Sequence, residues 1–458
     1  MPRPICLTDE IRRIEKQAEG TTPPLMQRAA QAAAALAQGI AGKDVLVVAG
    51  PGNNGGDARL MAELLRQQFF RVRVVSNPGE LPPGSRWNLV VDGLFGIGLA
   101  REVEGPYAEL IDYINAQRCP VLALDIPSGL HADSGRVLGR AVRATHTLTF
   151  IALKPGLLTL DGPDHCGEIT VADLGLAVPN PSAWVASHEL FAAQMKRRPR
   201  NFHKGLAGTL GIIGGASGMT GAALLAGRAA LRLGAGRVRV GLLDTHIAVD
   251  PVMPELMLAH ADAVLGTDLD ALVIGPGLGQ SERAETLLGA ALASELPCVL
   301  DADALNLIAE NTDLRHACHR RQADTLITPH PAEAGRLLGS STAAVQADRV
   351  KAARMLAENL NAHTVLKGEG SILAARDGHW FINRTGNPGM ASAGMGDVLS
   401  GLLGALVGQG YSGETALVLG THLHGAAADE LARSGVGPIG MTAGEVIDAA
   451  RRLWNTWL

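Results

Sequence analysis

Three aspartates in this 458-residue chain leave apolar runs for glycine-rich turns, the pattern that sets a carboxylate at the mouth of a strand-end crevice. In GPGNNGGDA, residues 50–58, two asparagines and an aspartate stand among glycines between an apolar run and a helical pattern. Free backbone N–H groups and the helix dipole can hold a phosphate there. The segment is not GxGxxG and lacks the Lys and Ser/Thr of a P-loop, so ordinary dinucleotide binding and NTPase chemistry fit poorly. A tight strand-to-helix turn is the plainer reading, but it leaves the polar residues unexplained. DGLFGIGLA, residues 92–100, and LDIPSGL, residues 124–130, each end a further apolar run with an aspartate. Either aspartate alone reads equally well as a cap or a turn residue. Together, Asn54, Asp92 and Ser128 offer oxygen ligands to a hard cation, and Asp125 is left as an acid or base.

The second half repeats the theme with different residues. NPGMASAGMGDVLSGLLGAL, residues 387–406, joins a glycine-rich loop to an aspartate at the mouth of a long apolar helix. The N–H groups of residues 393–396 can form an anion hole for a phosphoryl group in transfer, with Asp397 in reach of an attacking hydroxyl. A small-xxx-small packing motif is the competing reading, and it gives Asp397 no purpose. KGEGS, residues 367–371, follows apolar HTVL and offers a cation and open amides to phosphates; a surface turn reads equally well. TPHPAE, residues 328–333, frames His330 between prolines at a strand end, although a lone histidine is more often structural. GPGLG, residues 275–279, and GGASGMTGA, residues 214–222, are either ligand loops or turns.

To hold these residues the chain needs parallel strands. DVLVVAGPGNNGGDA, WNLVVDGLFGIG and PVLALDIPSG alternate a short apolar run, a turn and a helical pattern. Strands apolar along their whole length are covered by helices on both faces, and their carboxyl ends carry the ligand crevice. The rhythm breaks over residues 176–200, which hold prolines and a basic run, and resumes with TLGIIGGASG, ALVIGPGLG, CVLDADALNL, DTLITPHPAE and HTVLKGEGS. Two α/β domains, 1–193 and 194–458, are expected, and they are not evident repeats of each other. A hydrophobic share of 47% against 19% charged residues supports two globular cores. With 3% aromatics and a net charge of -5, nucleic acid is not expected as a partner. Five scattered cysteines without a CxxC pair suit a reducing cytoplasm. The start has no apolar export core and the Ala-rich run at 29–41 is short and broken by Gln31 and Gln38, so neither export nor a membrane span is expected.

The blocks GPGNNGGDA, DGLFGIG and LDIPSGL, in this order and spacing, resemble the NAD(P)H-hydrate epimerase domain over roughly residues 5–190; TFIALKPGL and GEITVADLGL continue the likeness. The resemblance implies a Rossmann-like three-layer fold with K⁺ held by Asn54, Asp92 and Ser128. It implies hydrate binding by Asn53, Asn54, Gly55, Gly56 and Asp57 and by Gly96, Ile97, Gly98, Leu99, Ala100, Arg101 and Glu102, with Asp125 both binding and catalytic. Ala58 departs from the glycine usual there. KGLAGTLGIIGGASGMTGAA, ITPHPAE and GMASAGMGDVLSG likewise resemble the NAD(P)H-hydrate dehydratase domain of the ribokinase-like superfamily, over about residues 196–455. That likeness implies a ribokinase-like α/β fold in which Lys367, Gly368, Glu369, Gly370, Ser371 and Gly396 bind the adenine nucleotide. Ala222, Gly277, His330 and Asp397 then contact the hydrate, with Asp397 catalytic. Ala332 stands where the family more often has glycine.

Metabolite repair is the implied function: epimerisation of the R and S hydrates of NADH and NADPH (NADHX and NADPHX), then dehydration of the S form as ADP becomes AMP and phosphate, with Mg²⁺ assisting. A homo-oligomer is expected. From the residues themselves, two rivals stay open: a kinase for a small alcohol, and a non-catalytic nicotinamide-nucleotide sensor.

Overall fold

In a computed structural model describing residues 2–458 apart from 41, 83–85 and 245–246, the chain forms two compact units, Arg3–Trp184 and Val185–Leu458. The division falls ahead of residue 193. The first unit is built on a wholly parallel sheet ordered Arg71–Val75, Asp44–Ala49, Leu89–Gly93, Val121–Leu124, His146–Phe150, Glu168–Ala172. Alternate residues of a strand point to opposite faces, and both faces are covered. Val45, Val47 and Ala49 pack with helices Leu25–Ile40 and Asn53–Gln67 on one side; Leu46 and Val48 pack with Gly105–Asn115 on the other. The result is the expected three-layer, Rossmann-like arrangement. The Ala-rich run is the helix Leu25–Ile40, whose buried alanines face the core, while Ala41 lies outside the described residues. Strand Asp44–Ala49 pairs with a neighbour on each side, so the loops leaving it and Leu89–Gly93 splay apart and open a crevice at their carboxyl ends.

The second unit carries a larger sheet. Met257–His260, Arg237–Leu242, Thr209–Gly214, Ala271–Ile274, Cys298–Leu300, Thr325–Ile327 and His363–Leu366 are parallel; Ser371–Ala374 and Trp380–Asn383 follow antiparallel. Helix Met395–Gly408 is buried for almost its whole length. Its glycines serve packing as well as chemistry: a Cβ on Gly401 would fall 2.1 Å from the Ala226 carbonyl oxygen of helix Thr220–Arg232. The two readings of that segment are thus compatible, since the same helix packs through small residues and carries Asp397 in its first turn. Among the described residues no helix is long and apolar enough to cross a membrane.

Candidate active sites

The strand-end loops of the first unit enclose a cavity of about 590 Å³. Asn53, Asn54 and Asp57 reach it from the start of helix Asn53–Gln67; Gly96, Ile97, Gly98, Leu99, Ala100 and Arg101 line its rim, and Asp125 its floor. Gly55, Gly56 and Glu102 are not part of the lining. A Cβ at Gly55 would collide with the Gly50 carbonyl oxygen at 1.9 Å, so that glycine permits a close backbone approach. Asp92 and Ser128 are fully buried and are not part of the lining either.

Asp125 is held with unusual care. Its φ of 67° is left-handed, a conformation aspartate tolerates better than most residues. Its Oδ1 accepts from Lys154 Nζ at 2.7 Å and its Oδ2 from the Ile97 N–H at 3.0 Å. A Cβ on Gly96 would stand 2.7 Å from Oδ2, so only glycine admits the carboxylate there. Lys154 has no solvent exposure and spends its other two donors on Thr149 Oγ1 and the Phe150 carbonyl, both at 2.8 Å. Sequence reasoning quoted the segment TFIALKPGL yet gave Lys154 no role; a lone cation inside an apolar run was the available signal. Arg12 and Glu15, from helix Thr8–Gln17, also line the cavity and were missed, since nothing in that helix distinguishes them from surface charges. Burial, then the charges of Asp125 and Glu15, push the Asp57 carboxyl up to about 7.

The three proposed cation ligands are brought together unequally. Asp92 Oδ1 accepts from Ser128 Oγ at 2.6 Å and from the Leu94 N–H at 3.2 Å, and Oδ2 accepts from the Ser128 N–H at 2.8 Å. Burial pushes its carboxyl up to about 6, opposed by those hydrogen bonds. Asn54 donates through Nδ2 to the Leu124 carbonyl at 3.2 Å, while its Oδ1 is buried with no partner among the described residues. A buried carboxylate with no cation among its described partners and an orphaned amide oxygen are oxygen donors of the kind a hard cation takes. No cluster of three His, Cys, Asp or Glu residues among the described residues offers an alternative metal site.

In the second unit Lys367, Gly368, Glu369, Gly370, Ser371 and Gly396 line one cavity of about 310 Å³, so all six nucleotide-assigned residues meet. Ala222, Gly277, His330 and Asp397 do not line it. Ala222 and Gly277 adjoin each other, with the Ala222 methyl 3.3 Å from where a Gly277 Cβ would stand. His330 and Asp397 gather instead around Asp301, a carboxylate that sequence reasoning passed over although CVLDADALNL repeats the strand-end pattern of Asp92 and Asp125. Asp301 is almost fully buried; Oδ1 accepts from Lys367 Nζ at 3.1 Å and Oδ2 from Ser400 Oγ at 2.7 Å. Burial works against its ionisation, but Lys367 and the hydroxyls of Ser400 and Thr328 hold it below the ordinary carboxylate range. Asp397 takes the opposite course. Burial and the Asp301 charge push it up to about 6, against the pull of Lys367.

Gly394 at φ 89° caps helix Met395–Gly408 and turns the loop so that Gly396 and Asp397 enter the first turn together. A Cβ on Gly396 would lie 3.2 Å from Lys367 Nζ, so the glycine and the ammonium border one small space. His330 Nδ1 accepts the N–H groups of Ala332 at 3.1 Å and Glu333 at 3.4 Å. Burial and Lys367 lower its pKa, so the ring is neutral with its proton on Nε2, 3.3 Å from Glu333 Oε1. A base near neutrality, a fixed cation and a glycine-lined anion pocket are the parts of a phosphoryl-transfer site that works without a P-loop.

Comparison with known proteins finds relatives for both halves of the chain. The family model described as NAD(P)H-hydrate dehydratase matches residues 210–452, and that of the YjeF-related protein N-terminus matches 23–89 and 81–156. The bifunctional NAD(P)H-hydrate repair enzyme of Coxiella burnetii is 39% identical, over 97% of this chain and 98% of its own. Its Escherichia coli counterpart is 38% identical, over 99% and 95%. Among solved structures, the Bacillus subtilis ADP/ATP-dependent NAD(P)H-hydrate dehydratase co-crystallised with ATP/Mg²⁺ matches 60% of this chain and 98% of its own, at 31% identity and a TM-score of 0.53. An Enterococcus faecalis ribokinase-like superfamily protein, 23% identical with a TM-score of 0.54 over 60% of this chain and 96% of its own, shares the fold.

Proposed function

The chain belongs to the bifunctional NAD(P)H-hydrate repair enzymes, and from that premise we propose that its two cavities divide the work. Residues 1–193 interconvert the R and S hydrates of NADH and NADPH, and residues 194–458 dehydrate the S form, with ADP as the phosphoryl donor and the hydrate's C6 hydroxyl as the acceptor. The observation that carries the reading is the grouping of Lys367, Gly396, His330 and Asp397 about one buried carboxylate, Asp301.

In the hydrate a hydroxyl on C6 adjoins the ring nitrogen, whose lone pair can expel it and allow return to the other face. Asp125, oriented by Lys154 and the Ile97 N–H, shuttles the proton that leaves and returns with that oxygen. Asn53, Asn54, Asp57 and residues 96–101 hold the nucleotide portion, with Gly55, Gly56 and Glu102 shaping those two loops, and K⁺ would be held by Asn54, Asp92 and Ser128, supplying the positive charge that buried Asp92 lacks. Beside the second cavity, next to the Lys367 and Gly396 that line it, Asp397 accepts the proton of the C6 hydroxyl as its oxygen attacks the terminal phosphorus of ADP, and AMP leaves. The C6–O bond then breaks with the ring nitrogen's electron pair, phosphate departs, and loss of the neighbouring proton restores the dihydronicotinamide double bond. Mg²⁺, when bound with the nucleotide, screens charge between the phosphates. Lys367, the 368–371 loop and Gly396 bind those phosphates, and Ala222, Gly277 and neutral His330 meet the hydrate. Five free cysteines support a reducing, cytoplasmic setting.

The test is direct. Purified protein is incubated with ADP, Mg²⁺, K⁺ and both hydrate epimers while the near-ultraviolet absorbance of reduced nicotinamide is followed. Recovery of the whole pool is expected. A stop at the S fraction means the first cavity is not an epimerase, and accumulation of a stable phosphorylated product means the second is a kinase.

A further inference from the structure

The wall of the C-terminal cavity formed by helix Gly413–Arg433 holds two polar atoms that nothing among the described residues satisfies. Thr421 and His424 are three residues apart, hence neighbours on one helix face, and both line the 310 Å³ space. Thr421 Oγ1 and His424 Nε2 are buried without a hydrogen-bond partner among the described residues. The whole side chains are nearly enclosed, at 4% and 6% exposure. A helical threonine ordinarily gives its hydroxyl to a carbonyl one turn back; this one does not. Burial and the nearby Lys367 ammonium push the His424 ring down to about 4, so the imidazole is neutral and can donate or accept.

Other polar groups of this wall are already engaged. Asn383 donates to the Thr385 carbonyl at 3.1 Å and accepts its hydroxyl at 3.0 Å, and Asn387 pairs with Asp429 and the Gly389 N–H. Val365, Met390, Met395 and Leu399 make the remaining surface apolar. One cavity thus combines the Lys367 cation and the 368–371 loop with an apolar slot whose wall carries two unanswered hydrogen-bonding atoms. Buried polar atoms stay unpaired at a free-energy cost unless a ligand completes them.

The geometry points to Thr421 and His424 as the pair that reads the edge of the nucleotide base, His424 meeting the exocyclic amino group of a 6-aminopurine and Thr421 an adjacent ring nitrogen. This rests on the nucleotide reading of the cavity and adds the selectivity that the phosphate-binding residues cannot supply, because every nucleoside diphosphate carries the same phosphates.

Equilibrium titration calorimetry on the full chain tests it, with ADP and with purine riboside 5′-diphosphate, which lacks only the amino group. Loss of one hydrogen bond to a buried partner predicts about tenfold weaker binding. For the wild type, removing the amino group weakens binding by that factor. His424→Phe weakens ADP by the same factor and leaves the analogue's affinity where it was, whereas Thr421→Val weakens both ligands alike. His424→Asn, which keeps a hydrogen-bonding edge, recovers part of the ADP preference and guards against a folding defect. Independent, additive losses from His424→Phe and from the missing amino group overturn the assignment. A wild type that binds neither diphosphate instead overturns the nucleotide reading itself.

Discussion

Replacing Lys154 with methionine removes one charge and keeps the stem, which isolates what the buried ammonium does. Three hydrogen bonds disappear: to Asp125 Oδ1 at 2.7 Å, Thr149 Oγ1 at 2.8 Å and the Phe150 carbonyl at 2.8 Å. The Lys154 side chain is wholly buried and that of Asp125 is 12% exposed, so water cannot repair the loss at the lysine end. Breaking a buried ion pair by removing one partner costs about 3–5 kcal/mol. For a unit the size of Arg3–Trp184 that lowers its melting temperature by about 6–20 °C. Catalysis suffers separately, because a carboxylate displaced by about 1 Å loses on the order of 100-fold in rate. The assay starts from pure R hydrate with ADP, so that the nicotinamide absorbance can return only after epimerisation; pure S hydrate reports the second cavity alone. The R-dependent rate is expected to collapse while the S-dependent rate holds. A double-mutant cycle with Asp125→Asn, a residue that also tolerates the left-handed backbone, measures the pair directly. Coupling of about 2 kcal/mol or more is expected in calorimetric unfolding of that unit. Additivity within about 0.5 kcal/mol refutes the claim that Lys154 acts through Asp125.

Other consequences follow from the same geometry. Asp397 works as a base only when ionised, and its carboxyl is pushed up to about 6, so S-hydrate turnover should fall about tenfold per pH unit below 6 and level off above it; a flat profile between pH 5 and 7 contradicts the assignment. Asp397→Asn should lower dehydration by about 100-fold or more while epimerisation, followed by separating the two hydrates chromatographically, proceeds at the wild-type rate. Substituting choline for K⁺ should slow epimerisation and lower the first unit's melting temperature, and Asn54→Ala should make both indifferent to K⁺; an equal K⁺ response in that variant argues against Asn54 as a ligand. Gly396→Ala places a methyl carbon 3.2 Å from Lys367 Nζ and should raise the KM for ADP several-fold, by about 1 kcal/mol of lost binding, with the response to hydrate concentration unchanged.

The sequence alone determined what is local along the chain. Apolar runs ending in glycine turns gave away the parallel strands, and the unbroken burial of Val45 to Ala49, on both faces of the sheet, is what such runs require. The carboxylates at 92 and 125 were legible because a strand end is a fixed point: its next residues must leave the sheet beside the crevice. Asp397 was legible for a related reason, since a glycine loop entering an apolar helix has few other uses for an acid.

Tertiary structure alone decided which groups act on one another. Lys154 meets Asp125 from 29 positions away, Lys367 meets Asp301 from 66, and Ser400 meets Asp301 from 99. No pattern in the sequence aims a side chain across such a span. Whether Asp57 and Asp397 hold protons near neutrality depends on burial and on neighbouring charges, and those exist only once the strands and helices have closed around them.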